Sequence, residues 1–173
     1  KLRRNGYLVL GSLGTIYMLM FASFEWLWKD ILRRNIEFNS QEFFVSIILF
    51  LLTLSVLIYS YSKKWIQSFN LFQYVFIIFT IIFFIGTSSS LFSTVLINLI
   101  ILILGIIAIK IGADKFHFGI LNYGLLIITA LIVCRFFDTN MSFVVRGLLF
   151  VCVGVGFFLT NYMMLKKQKS RRN

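Results

Sequence analysis

The stretch LFQYVFIIFTIIFFIGTSSSLFSTVLINLIILILGIIAI, residues 71–109, contains no charged residue and one polar interruption, the serines at 88–90. As one helix it would be about 58 Å long, roughly twice the hydrocarbon thickness of a bilayer. A tight hairpin at the serines removes the mismatch and leaves two spans, 71–87 and 91–109. Ser89 or Ser90 is then placed to cap the second span, since a hydroxyl accepts from the free backbone N–H groups of a helix start. Helices are the only choice here, because an isolated strand cannot satisfy its backbone in lipid.

The same length test, carried outward, finds four more apolar stretches of the roughly 20 residues needed to cross, at 7–28, 43–62, 118–137 and 142–165. The expected fold is all-α, a polytopic transmembrane helix bundle of about six spans forming a single domain over residues 1–173. Composition agrees. The chain is 60% hydrophobic and 18% aromatic with a mean hydropathy of +0.92. Its 13% charged residues fall well below the roughly 25% of soluble domains, so one small core could not hide this much apolar surface. The sequence begins at Lys1, and its first apolar run is too long for a signal-peptide core and has no cleavage motif after it. It therefore reads as the C-terminal part of a longer chain.

Charge gives orientation independently. If both termini share a side, that side receives Lys1, Arg3 and Arg4, then Lys63 and Lys64, Lys110 and Lys115, and finally Lys166, Lys167, Lys169, Arg171 and Arg172. The opposite side keeps Lys29, Arg33, Arg34, Arg135 and Arg146, diluted by Glu25, Asp30, Glu37, Glu42 and Asp138. The positive-inside rule then puts both termini in the cytoplasm. The formal charge of +11 is thus a topology signal, and it speaks against nucleic acid as a partner, since the basic residues separate apolar runs instead of forming one stripe. Lys29 to Gln41, the longest connection, reads as a short interfacial helix, and Tyr7, Trp26, Trp28 and Trp65 fall at span boundaries, where amphipathic rings favour the headgroup zone.

Arg135, Phe136, Phe137 and Asp138, followed by Arg146 in the next span, form the most informative constellation. Arg135 precedes Asp138 by one turn and Arg146 lies one to two turns into the last helix, so both guanidinium groups come within reach of the carboxylate. One reading is a structural clamp, because intramembrane charges pair; the other is an anion or lipid-phosphate site built on the second arginine. The hairpin also carries a resemblance. Asn122 to Leu126, then Arg135 to Asp138, then Arg146 to Phe150 and a basic tail, resemble the C-terminal part of a bacterial family of polytopic membrane proteins of unknown function. The likeness covers 117–167 best and implies a fold and a bacterial inner-membrane location, with no activity attached.

Glu25 and Asn98 are the other candidate intramembrane polar sites. Glu25 either binds a cation or pairs with Lys29 at i+4, and Asn98, like Asn122 and Asn161, either lines a path or makes interhelical hydrogen bonds. Gly105, Gly147, Gly154 and Gly156 read as close-packing positions, the last forming a small-xxx-small pair with Cys152. Cys134 and Cys152 sit in apolar runs and read as small buried hydrophobes. His117 is the only histidine, about 25 Å of helix from Cys134, which leaves no multi-histidine metal site, no catalytic pair and no cofactor-binding motif. The function expected is a non-catalytic accessory or scaffold subunit whose partners are the bilayer and other membrane subunits. A transporter or channel component is the alternative.

Overall fold

The structure, a computed structural model, describes residues 6–33, 40–64, 71–138 and 142–170. Among these it is all-helical: α1 (Gly6–Ala22), α2 (Glu25–Arg33), α3 (Gln41–Ser62), α4 (Leu71–Gly86), α5 (Ser90–Asp114), α6 (Phe118–Asp138) and α7 (Phe143–Ser170). Helices α3, α5, α6 and α7 are long and apolar enough to cross a membrane, and α1 with α2 makes a fifth candidate if the two count as one interrupted span. The chain is a membrane protein by that measure. Helix α4, at 16 residues, is shorter than the others.

Hydroxyls start three of these helices. Ser40 Oγ accepts from Phe43 N at 3.2 Å, Ser89 Oγ from Phe92 N at 3.4 Å and Ser142 Oγ from Val145 N at 3.4 Å, each taking a donor that the first turn leaves free. Ser89 is thus the cap of α5. The turn expected at 88–90 is present: Ser88 and Ser89 close back onto Ile85 O, and Ser93 Oγ donates to Ile82 O across 11 residues, which requires the chain to have reversed.

The first expected span, 7–28, is interrupted. It breaks after Ala22, where Ser23 N bonds Met20 O and Phe24 N bonds Phe21 O in tighter i to i−3 geometry, and a separate helix starts at Glu25. Four charges between Glu25 and Arg33, spaced around one apolar face, make this segment strongly amphipathic, whereas α1 is apolar all round. The interfacial helix expected at Lys29 to Gln41 therefore begins earlier, and positions 34–39 lie outside the described residues, as does Trp65.

The chain divides into two compact units. In the unit of residues 25–93, α2 packs on α4 and Phe50 of α3 meets Phe76 of α4 at 5.7 Å between centroids. Trp28 is fully buried, a correction to its expected place in the headgroup zone. It lies on the inward face of α2, over Gly86 of α4, and a Cβ on that glycine would meet the indole ring. Tyr7 and Trp26 are exposed.

The other unit holds residues 1–24 and 94–173. Its seam is α5 against α6, running antiparallel. A Cβ on Gly124 would stand 2.6 Å from Ile109 N and 2.7 Å from Gly105 O, one on Gly105 would stand 2.7 Å from Ile128 Cγ1, and one on Gly112 would meet the Leu121 backbone. Small residues let the two backbones touch, the usual device where lipid supplies no hydrophobic drive. Of the glycines expected to pack, Gly105 does so. Gly147, Gly154 and Gly156 have open space around them. Cys152 is likewise exposed, not buried. Helix α7 joins through Met164 and Phe157, which pack with Leu121, Leu125 and Phe116, and through Phe136 and Phe150, 5.3 Å apart.

Candidate functional site

Three polar side chains of the second unit converge where α1 ends. Ser23 is completely buried, and its Oγ donates to Met20 O at 2.6 Å. From α5, Asn98 Nδ2 donates to Ser23 O at 3.3 Å and to Thr94 O at 2.7 Å. From the last turn of α6, Arg135 Nη2 donates to Ser23 Oγ at 3.1 Å, while its guanidinium carbon lies 5.1 Å from the centre of the Phe24 ring. One serine thereby takes hydrogen bonds from two other helices.

The electrostatics explain the placement of the arginine. Arg135 sits at the C-terminal end of α6 and against the C-terminal end of α1, where unsatisfied carbonyls carry the negative pole of each helix dipole. A guanidinium this close to an aromatic ring is attracted to it, a contact worth more when water is excluded. Asn98 donates both amide protons and keeps a buried Oδ1 that accepts no hydrogen bond among the described residues. It is an acceptor in need of a donor, such as a water molecule or a solute.

The expected site residues fall in different places. Arg135 and Asn98 are brought together through Ser23. The side chains of Asp138 and Arg146 lie outside the described residues. Glu25 opens α2 in the other unit, half-buried, with Oε1 3.2 Å from Nζ of the exposed Lys29 in an i, i+4 ion pair. Pairs this open to solvent contribute little, so the contact orders the first turn more than it stabilises the fold. Asn122 is exposed, and Asn161 Nδ2 bonds Phe157 O of its own helix. Among the described residues no group of three His, Cys, Asp or Glu could hold a metal ion. His117 Nδ1 accepts from Ile120 N at 3.4 Å and so caps α6, at the end opposite Cys134.

Sequence reasoning missed Ser23, Thr94 and Phe24. The signal available was the charge density immediately after them: Glu25, Lys29, Asp30 and Arg33 make one continuous apolar helix through this stretch costly, which points to a break near residue 23. A second α1–α6 contact lies nearer the helix starts, where the buried Tyr123 hydroxyl is turned toward Ser12 without completing a well-formed hydrogen bond. With Ser12 beside Tyr123 and Ser23 beside Arg135, α1 and α6 run parallel. No protein-family model matches the sequence, and no curated protein or solved structure is detectably similar to it.

Proposed function

We propose that this chain is a non-catalytic accessory or scaffold subunit of a bacterial cytoplasmic membrane, with six spans and both termini inside. The observation that carries the reading is α3: it is apolar enough to cross a membrane, and none of its 22 residues is buried. A helix that contributes so little to its own core is a surface for lipid and for neighbouring spans. The polar groups of the interior serve packing in this reading, since Ser23, Asn98 and Arg135 hold one another and the end of α1. The outer hairpin, with Arg135, Asp138 and Arg146, is where a lipid phosphate or another anion would bind. The bacterial assignment rests on the likeness of residues 117–167 to the family of unknown function.

Parity supports the six spans. The end of α1, the start of α5 and the end of α6 share one level, because Ser23 bonds Asn98 and Arg135. Between residues 23 and 98 the chain must cross the bilayer an even number of times. If α3 crosses, α4 crosses back, although it is only about 24 Å long; a short span is accommodated by local thinning of the bilayer. At about 14 Å, α2 is too short to cross and lies along the surface. The excess of Lys and Arg on the side of the termini then makes that side cytoplasmic.

A second reading, a transporter or channel component, is favoured by one observation: the interruption at Ser23 and Phe24 beside the unpartnered Asn98 Oδ1, since broken helices with free polar groups form many transport sites. Mass spectrometry of the protein extracted with its native lipid separates the two. A stoichiometric integral membrane partner supports the subunit reading; a protein isolated alone with a retained solute overturns it. Variants Asn98→Leu and Glu25→Gln give a second test, because loss of a cellular phenotype at unchanged protein level favours a path, and loss only through lower abundance favours packing.

A further inference from the structure

We propose that the C-terminal end of α3 binds one anionic phospholipid, its acyl chain along the outward stripe through Leu52 and Val56 and its phosphate at Lys63 and Lys64. The inference needs only that α3 spans the bilayer, and stands apart from the accessory-subunit reading. At 3.6 residues per turn, Val45, Ile48, Leu52, Val56, Tyr59 and Lys63 share one face of the helix. The five that precede Lys63 are each between 54% and 65% exposed, while on the opposite face Phe50 meets Phe76 of α4. From residue 45 to residue 59 the stripe runs about 21 Å, longer than one leaflet of a hydrocarbon core about 30 Å thick. It offers an acyl chain a continuous apolar surface over its whole depth.

The way α3 ends brings charge to this stripe. Lys63 N–H donates to Tyr59 O at 3.0 Å, and Lys64, in the left-handed region at φ 54°, donates its N–H to Tyr61 O at 2.9 Å. Both lysines are exposed, and both stand beside the last carbonyls of the helix, whose dipole favours cations. Lys63 Nζ lies 5.7 Å from the centre of the Tyr59 ring. Its ammonium is thus folded back over a ring four residues earlier, at the edge of the apolar stripe, while the alkyl stem covers part of it. Lys63 and Lys64 are the only charged residues between Glu42 and Lys110, so no carboxylate of that stretch competes for them.

The occupant follows from charge and shape together. A free phosphate would use the lysines and leave the stripe bare, and an apolar span of another protein would cover the stripe and leave the lysines unmatched. A zwitterionic lipid brings no net charge. An anionic phospholipid supplies both a chain and a headgroup of the right sign, and each basic residue near an anionic surface strengthens binding about fivefold.

The test uses the full chain in nanodiscs containing phosphatidylcholine and phosphatidylglycerol in equal amounts, with retained lipid identified by native mass spectrometry after release. The expected result is preferential retention of phosphatidylglycerol that weakens as salt is raised. The variant Lys63→Gln/Lys64→Asn, with asparagine at 64 because it tolerates a left-handed backbone, should lose that preference about 25-fold at low salt and keep its phosphatidylcholine. Lys63→Arg/Lys64→Arg should keep the preference, and so should Lys110→Gln/Lys115→Gln, which removes equal charge elsewhere. Leu52→Ala/Val56→Ala should retain less of both lipids. Unchanged preference in the neutral variant overturns the proposal, as does an equal loss in the Lys110 and Lys115 variant. Equal retention of the two lipids by the native chain overturns it as well, whether or not a protein partner copurifies, so this failure is separate from failure of the subunit reading. If the neutral variant fails to assemble, the salt series on the native chain decides, and a preference indifferent to salt overturns it.

Discussion

Arg135 Nη2 lies 3.1 Å from Ser23 Oγ, so a guanidinium near the end of α6 terminates on a fully buried serine at the end of α1, 112 residues earlier in sequence. Hydrogen bonds to charged groups contribute about 1.5–3 kcal/mol, and removing one partner leaves the other to bear its desolvation. Ser23→Ala should therefore lower thermal stability in detergent by an amount in that range. In the Arg135→Leu background the same substitution should cost much less. A double-mutant cycle measures the difference, and strictly additive losses would show that the contact carries no energy.

Glycine substitutions should divide by location. Gly105, Gly112 and Gly124 stand where a Cβ would press on the facing helix, so Ala at any of them should cost about 1–3 kcal/mol through overpacking. Gly147 and Gly154 face open space, and Ala there should be neutral or slightly stabilising, since glycine is the weaker helix former. Melting curves of the five single variants in one detergent provide the comparison. Equal sensitivity at both sets of positions would count against the α5–α6 seam.

Trp28 and Gly86 form the corresponding pair in the unit of residues 25–93. The indole occupies the space that a side chain at 86 would need. Gly86→Val alone should be strongly destabilising, and Trp28→Ala alone should cost about 3 kcal/mol or more, the usual penalty for emptying a large buried aromatic site. Combined, the two should cost less than their sum, because the new side chain enters the vacated volume. Protein level and melting temperature of the four chains in the cycle measure this directly.

Much of the fold is legible in the sequence because lipid makes a simple demand: about 20 apolar residues with no unpaired charge. Six expected stretches became α1 and α3 to α7 with ends within a few residues at most positions, and the serine hairpin is where the polar run put it. What hydropathy could not show is the identity of contacting faces. Gly105 and Gly112 lie seven residues apart, in register with Asn98, a heptad stripe readable only once a partner helix is known. No Pro or Gly marks the break at Ser23, so only the charges that follow it could point to it, and Trp28 was misplaced because an aromatic near a boundary fits either the headgroup zone or the inner face of a short amphipathic helix. The site was half legible. Arg135 and Asn98 stood out as polar residues in apolar runs, whereas Ser23, the residue that joins them, resembles any other small residue in a span.

Topology offers the most decisive measurement on the chain. With Cys134 and Cys152 replaced by Ser, both being free thiols, single cysteines can be introduced at Lys64, Ser88 and Lys169 and labelled with a membrane-impermeant reagent from either face. Six spans place Lys64 and Lys169 inside and Ser88 outside. The comparison of Lys64 with Ser88 isolates α4, because these positions flank it and the helix is short for a crossing at 16 residues. Opposite labelling of the two requires α4 to traverse the bilayer. Labelling from one side would leave α3 and α4 as an even number of crossings only if neither passes through, in which case α3 would have to lie in the membrane without spanning it, against the length and apolar character of its 22 residues. Lys169 accessible from outside intact cells would instead reverse the orientation, and with it the assignment of the basic end of α7 to the inner leaflet.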